Sequence, residues 1–474
     1  MLSRLSFNTQ LFILFAVSLA ARIPFLHAGY GVEEDSWGIA VAMHNTVETG
    51  IPEASRLPGH PVHELFLAAL WSMGARYWMF NFVSAVAGAV GVVFFAMILK
   101  KLSFKHYMLA ALGFSLVPVI YIAGTYTIDY MWTITFVLAS YYALLCNRLW
   151  LAGILLGLAC GCRITSAAMM LPFAIQLWGI HDFKGWLARI FKIGIAALII
   201  IVISYIPVVM VYGKSFFTYS DQFPYPPFSK IFYKGTIGVF GLIGFVAIIL
   251  FALIALMKRQ NKDQLYAQPL SRMHSYAWAS TVIIYIIAYF GLPQKSAYMI
   301  PLVPFVLLLF TRYLDEKHYR IFSVLLILSP FFFSINLTDP FRGSQHSSMV
   351  LKATVSGQEV FLDPLTGPVF SDYTKRKQKM AFTKMVRKKA NAMNEKAVII
   401  SGWWYNMIIT GLYDEPGSKH VIYTFYTDEK ALRSYLSQGY NIYYLPEQDL
   451  YNDLNFKMQV TNELAKPFIE EAAP

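Results

Sequence analysis

Charge is scarce in this chain. Only 14% of its 474 residues are Asp, Glu, Lys or Arg, whereas a soluble domain has about a quarter. That shortage excludes an ordinary water-soluble globule. With 57% hydrophobic residues and a mean hydropathy of +0.49, it points to lipid as the main solvent. Cysteine is nearly missing. Cys146, Cys160 and Cys162 all fall in apolar stretches. The spacing Cys160-x-Cys162 is too short for a zinc knuckle and no second pair exists. The cysteines therefore read as small buried hydrophobes, and no disulfide framework is available. Acidic residues are outnumbered by basic ones, 27 against 39, for a net charge of +12. In so apolar a chain that excess belongs in cytoplasmic loops, not on a nucleic-acid-binding face.

What is abundant is the long hydrophobic run. A bilayer crossing needs about 20 apolar residues. Candidate spans lie at 9–28, 78–100, 106–124, 129–147, 150–178, 193–212, 236–257, 276–292, 297–312 and 320–336. The predicted fold is a mainly α, polytopic transmembrane helical bundle of about 10–12 membrane segments. The stretch 62–74 is too short to span and suits a helix at the interface or against the bundle. Arg4 precedes the first run as in a signal peptide. The run is long, however, Arg22 sits near its far end, and no small-residue cleavage site follows, so it reads as a retained helix.

Orientation follows from Lys and Arg in short loops. "KKLSFKH", "HDFKGWLARIFK", "MKRQNKDQ…SRMH" and "TRYLDEKHYR" carry the positive charge, while "TYTID" and "LPQKSAY" carry little. The parity works if 150–178 enters and leaves on the cytoplasmic side as two half-helices broken near "CGCRITS", where Gly157, Gly161 and Arg163 stand. The N-terminus is then cytoplasmic, and residues 29–77 and everything beyond about 337 lie outside the cytoplasm.

Within 29–77, "SWGIAVAMHNTVETG" reads as a surface helix stopped by Gly50. "RLPGHPVHE" follows as a Pro/Gly turn with Arg56, His60, His63 and Glu64. The stretch 212–235 is a second long outer loop, rich in aromatics and Pro. The division predicted is a membrane module over 1–336 and a small C-terminal α/β extracytoplasmic domain over 337–474. Its strands are "KAVIISGWW", "HVIYTFY" and "YNIYYLP". "TDEKALRSYLSQG" is a helix capped by Thr427 and ended by Gly439. The segment "SDYTKRKQKMAFTKMVRKKANAMNEK" reads as a basic helix with a solvated face, or one that meets lipid headgroups or an acidic polymer.

Three consecutive carboxylates, Glu33, Glu34 and Asp35, follow the first apolar run directly. They suit the first turn of a helix, and they also suit general-base chemistry. A Pro/Gly turn with a basic residue comes next. Then come Asp129 in "TYTIDYMWTITFVLASYYALL", Arg163 in "LAGILLGLACGCRITSAAMMLP", and Lys295 in "LPQKSAYMIPLVPFVLLLF". In order and spacing, over about residues 8 to 336, this resembles the GT-C class of membrane glycosyltransferases. The likeness is greatest to bacterial relatives of the aminoarabinose-lipid transferases and protein O-mannosyltransferases.

The resemblance implies a sugar donor carried on a polyprenyl phosphate, membrane lipids as partners, and an extracytoplasmic lipid, polysaccharide or protein as acceptor. It implies a multi-pass protein of the bacterial inner (plasma) membrane and inversion at the anomeric centre. The family's acidic pair falls on two of Glu33, Glu34 and Asp35. Trp37, aligned with the family's aromatic, favours the two glutamates, and the more common Asp favours Asp35. Donor-phosphate contacts fall on Arg163, Lys295 with Tyr298 beside it, and His60 or Arg56. The family usually has a Lys before a Pro pair where this chain has "GHPV".

Each residue also has a plainer reading. Asp129 suits an N-cap, or a contact to the acceptor. Arg163 and Lys295 suit interfacial anchors. His60 and His63 suit turn or packing positions, or, with Glu64, a divalent cation. Trp403 and Trp404 suit core packing or a sugar platform. Rival functions are a transporter or flippase of lipid-linked sugars, a ligase that moves a whole glycan, and a membrane-anchored interaction protein. Many transporters have broken helices in both halves; here only 150–178 reads so.

Overall fold

The computed structural model describes residues 5–179, 182–218, 225–257, 263–336, 350–355, 358–425, 427–445 and 464–469. Among these, six helical segments are long and apolar enough to cross a membrane: Phe7–Phe25, Tyr77–Lys101, Phe183–Tyr212, Ile237–Met257, Arg272–Gly291 and Ser296–Tyr313. The chain is an integral membrane protein of mainly helical fold. Its other expected spans are shorter or broken. The stretch 106–124 splits into Tyr107–Ser115 and Pro118–Ala123, because Pro118 lacks an N–H and its fixed φ favours a new first turn. The span 129–147 is the helix Tyr130–Leu145, and 320–336 is the helix Glu316–Leu328 followed by a strand. Sixteen helical residues rise only about 24 Å, less than a bilayer core of about 30 Å.

The expected break in 150–178 is present, but not at the glycines. The helix Leu149–Cys162 ends at Arg163, whose backbone is extended (φ −156°, ψ 111°), and a 3-10 turn Ile164–Met169 leads into the helix Met170–Leu177. Gly153, Gly157 and Gly161 lie inside the first helix at four-residue spacing. A Cβ at Gly153 would come 2.4 Å from the Ile193 carbonyl oxygen, and one at Gly157 would come 2.8 Å from that of Ala197. The glycines let this helix lie directly on Phe183–Tyr212, as small residues do between membrane helices.

That partner helix starts ten residues before the predicted span at 193. The supposed loop "HDFKGWLARIFK" is helical from Phe183, with the Asp182 carboxylate accepting from Gly185 N at 3.1 Å. Arg22 is wholly buried at the end of the first helix. It donates to the carbonyls of Ser18 (2.6 Å) and Ser115 (2.9 Å), which satisfies the exposed ends of two helices.

After the first helix the chain turns at Gly29 and forms the predicted helix Glu34–Thr49, closed by Gly50 in the left-handed conformation. The short helix Pro61–Ser72 packs between it and Leu149–Cys162. In the second long loop, the helices Ser215–Thr218 and Phe228–Gly235 flank residues 219–224, which lie outside the described residues. Residues 258–262 of the basic "MKRQNKDQ" loop also lie outside them.

The C-terminal region contains the sheet that the sequence predicts, and a second one that it does not. The strands β1 (Ser334–Asn336), β2 (Leu351–Val355) and β3 (Gln358–Asp363) form an antiparallel sheet in the order β1-β3-β2. The basic helix Pro368–Asn391 follows. Then β4 (Ala397–Ile400), β5 (Val421–Thr424), β6 (Asn441–Tyr444) and β7 (Lys466–Pro467) form a parallel sheet in the order β5-β4-β6-β7. The helices Tyr405–Asp414 and Glu429–Ser437 connect its strands, and Asp428, not Thr427, caps the latter. The basic helix is more than a solvated face: Phe382 and Val386 are buried, and so is Arg376, which pairs with Asp372 at 2.9 Å. Residue 337, where the sequence divides the chain, lies outside the described residues.

Candidate functional site

The three successive acids meet three different sets of partners. Glu33 is the N-cap residue of the helix Glu34–Thr49, and Glu34 and Asp35 occupy its first turn, where the helix dipole favours negative charge. Trp37 anchors the turn before them by donating to the Gly31 carbonyl at 2.9 Å. Glu33 meets Lys295 Nζ at 2.8 Å. Asp35 accepts from both Lys295 and Arg56. Glu34 accepts from the side-chain amide of Asn406, 372 residues further along the chain.

These partners make the carboxylates chemically unequal. Burial and the neighbouring Asp35 push the Glu34 carboxyl up to about 7, against the pull of Asn406, Lys295 and Arg56. For Asp35, burial acts in the same upward sense, but Lys295 and Arg56 outweigh it and hold the carboxyl well below the usual range. Glu34 can exchange a proton near neutral pH, while Asp35 stays charged and anchors two cations.

Arg56 owes its place to a tight turn. Glu64 accepts from Ser55 N (3.1 Å), Ser55 Oγ (2.5 Å) and His60 N (2.9 Å), closing the segment Ser55–His60 over the start of the helix Pro61–Ser72. His60 Nε2 accepts from Arg56 Nε at 3.3 Å, and His60 Nδ1 lies 2.7 Å from the Cys162 carbonyl oxygen. The ring is therefore the neutral Nδ1–H tautomer with both nitrogens occupied, and burial lowers its pKa. His60 ties Arg56 and the turn to the helix break.

Asp129 is fully buried and stands next to this network, with its carboxylate 3.8 Å from His60 Nδ1. It occupies the N-cap position of Tyr130–Leu145 but makes no side-chain cap bond. Instead it accepts from Arg163 Nε at 2.8 Å and from Nη2 at 3.3 Å. The extended backbone at Arg163 carries its guanidinium over the rings of Tyr130 (4.4 Å) and Tyr298 (5.4 Å).

Glu33, Glu34, Asp35, Arg56, His60, Asp129, Arg163, Lys295 and Tyr298 thus form one continuous cluster. Its carboxylates and cations come from five separate segments. His63 stands apart. It is fully buried against Trp132, at 5.7 Å between ring centroids, and among the described residues neither ring nitrogen has a hydrogen-bond partner. Glu64 is spent on the turn. Among the described residues no group of three or more His, Cys, Asp or Glu side chains is arranged to hold a metal ion.

Sequence reasoning missed Asn406 and Tyr130. Neither carries a signal in its own segment; each joins the cluster only through what it touches, Asn406 through Glu34 and Tyr130 through Arg163. Trp404 packs on Phe382 at 4.5 Å and is core, while Trp403 lies edge-on to Phe425 at 5.5 Å.

No protein-family model matches the chain, and no curated protein matches it. Among solved structures, the crystal structure of ArnT from Cupriavidus metallidurans in the apo state is similar, with a TM-score of 0.42 and 11% sequence identity, covering 98% of this chain and 90% of that chain.

Proposed function

We propose that this chain is a membrane glycosyltransferase that moves a sugar from a polyprenyl-phosphate donor to the hydroxyl of an extracytoplasmic acceptor. The observation that carries the proposal is the pairing, in one cluster at the ends of apolar helices, of a carboxyl poised near neutrality with three cations. Glu34 is the general base. Arg56, Lys295 and Arg163 face the leaving group. The acceptor oxygen attacks the anomeric carbon, the bond from that carbon to the phosphate oxygen breaks, and the hydroxyl proton passes to Glu34. The electron pair leaves with the polyprenyl phosphate.

A base works best with a pKa near the working pH, which favours Glu34 over Asp35. Fixed cations aimed at developing charge lower such barriers by about 3–4 kcal/mol per donor in comparable sites. Lys has three N–H donors and Arg five, so Lys295 and Arg56 retain donor capacity beyond their contacts to Glu33, Asp35 and His60. One displacement inverts the anomeric centre. In this reading residues 1–336 are the membrane module, with a cytoplasmic N-terminus in a bacterial inner membrane. Residues 337–474 form an extracytoplasmic domain.

The test is mass spectrometry of lipid-linked sugars and envelope glycans in cells carrying wild type, Glu34→Gln or Lys295→Met at matched membrane levels. The transferase reading predicts accumulated polyprenyl-phosphate sugar and one missing glycan in both variants. Unchanged lipids and glycans in both would refute it.

A further inference from the structure

We infer that Asn406 is a positioning residue for the base Glu34, so that the C-terminal α/β region completes the site and the membrane module alone lacks one of its parts. The inference rests on the role just given to Glu34.

Asn406 lies in the first turn of the helix Tyr405–Asp414, which packs along the acidic helix Glu34–Thr49. Its Nδ2 donates to Glu34 Oε1. Gly38, one turn beyond Glu34, leaves the room for this. A Cβ there would lie 3.3 Å from Asn406 Nδ2 and 3.8 Å from Glu34 Oε1. The same two helices are locked further along by His44 and Tyr413, whose rings stack at 3.7 Å with 22° between planes.

On the other side of the acids, the basic helix Pro368–Asn391 grips the turn that carries them. Lys379 Nζ donates to the Val32 carbonyl at 2.9 Å. Met380 Sδ lies 3.0 Å from where a Cβ on Gly29 would stand. Arg376 donates to Thr125 O and Oγ1, each at 3.1 Å, just before Asp129. The C-terminal region therefore holds the acidic turn before, at and after Glu34.

An amide suits this position. It donates a hydrogen bond without bringing charge, so it fixes one carboxylate oxygen and leaves the other for the acceptor proton. A lysine there would pair with Glu34 as Lys295 and Arg56 pair with Asp35, and would depress its basicity.

The test is a pH titration of the full-length protein in detergent, followed by the infrared band of protonated carboxyl groups. The component that disappears in Glu34→Gln is assigned to Glu34. In Asn406→Ala its midpoint moves up by about half to one pH unit, the size expected for one lost hydrogen bond. Asn406→Asp moves it further up, since a second carboxylate is added. Gly38→Val, which keeps Asn406 but crowds it off Glu34, moves it in the same direction and decides the matter if Asn406→Ala fails to fold. An unchanged midpoint in Asn406→Ala and Gly38→Val overturns the inference. The readout is independent of turnover. A shifted midpoint together with normal glycans in Glu34→Gln cells would leave the contact standing and remove the transferase reading.

Discussion

Neutralising Asp129 and Arg163 separately and together should reveal strong coupling between them. The pair is buried and bidentate, at 2.8 and 3.3 Å, and the Asp129 side chain is 0% exposed. With an effective dielectric of about 20 and charge centres about 4 Å apart, the direct attraction is about 4 kcal/mol. Taking away one partner strands the other charge in a poorly solvated site, so Asp129→Asn and Arg163→Met should each destabilise the protein by about 3–5 kcal/mol. In the double variant neither charge is stranded, and it should be more stable than the sum of the singles by about 2 kcal/mol. Arg163→Met also removes a cation from above Tyr130 and Tyr298. That loss occurs in the double variant too and cancels from the coupling. The assay is equilibrium unfolding of the four proteins in mixed micelles, with the coupling energy read from the cycle. Strict additivity, or single variants as stable as wild type, would refute the assignment of Asp129 as the partner that holds Arg163 in place.

Other outcomes follow from the same geometry. If Glu34 is the base as proposed, it must be ionised to accept a proton, and with its carboxyl pushed up to about 7 turnover should rise with pH about tenfold per unit below that value and level off above it. Asp35, held well below the usual carboxylate range, should add no second limb in that window; a pH–rate profile with a purified donor checks both. Gly153→Ala should destabilise the protein by about 1–3 kcal/mol, since its Cβ would meet the Ile193 carbonyl oxygen at 2.4 Å. Gly291→Ala, which meets nothing within 4 Å, should stay within about 0.5 kcal/mol of wild type in the same unfolding assay. His63→Leu should leave stability unchanged or raised, because it replaces a buried ring whose two nitrogens have no partner among the described residues by an apolar group. Metal-dependent stability that vanishes in His63→Leu would contradict the packing role.

The sequence alone settled what depends on local pattern. Long apolar runs marked the membrane helices. Gly50 marked the end of the acidic helix, and alternating strand and helix signals marked the parallel sheet of the C-terminal region. The acids at 33–35 and the cations at 56, 163 and 295 were legible as a set only through the resemblance to the GT-C class, on whose site positions they fall.

Tertiary structure decided what each of them is. Three adjacent carboxylates look alike in sequence. They differ here because Asp35 pairs directly with Lys295 and Arg56, whereas Glu34 accepts from a neutral amide on a strand-connecting helix 372 residues away. His60 reads in sequence as a phosphate contact or a turn residue, and the structure sets its two nitrogens against Arg56 and the Cys162 carbonyl. Asp129 read as an N-cap until its carboxylate was found on Arg163. Hydropathy and helix signals are properties of neighbours along the chain. A pKa, a tautomer or an ion pair depends on neighbours in space, and no local pattern in the sequence encodes those.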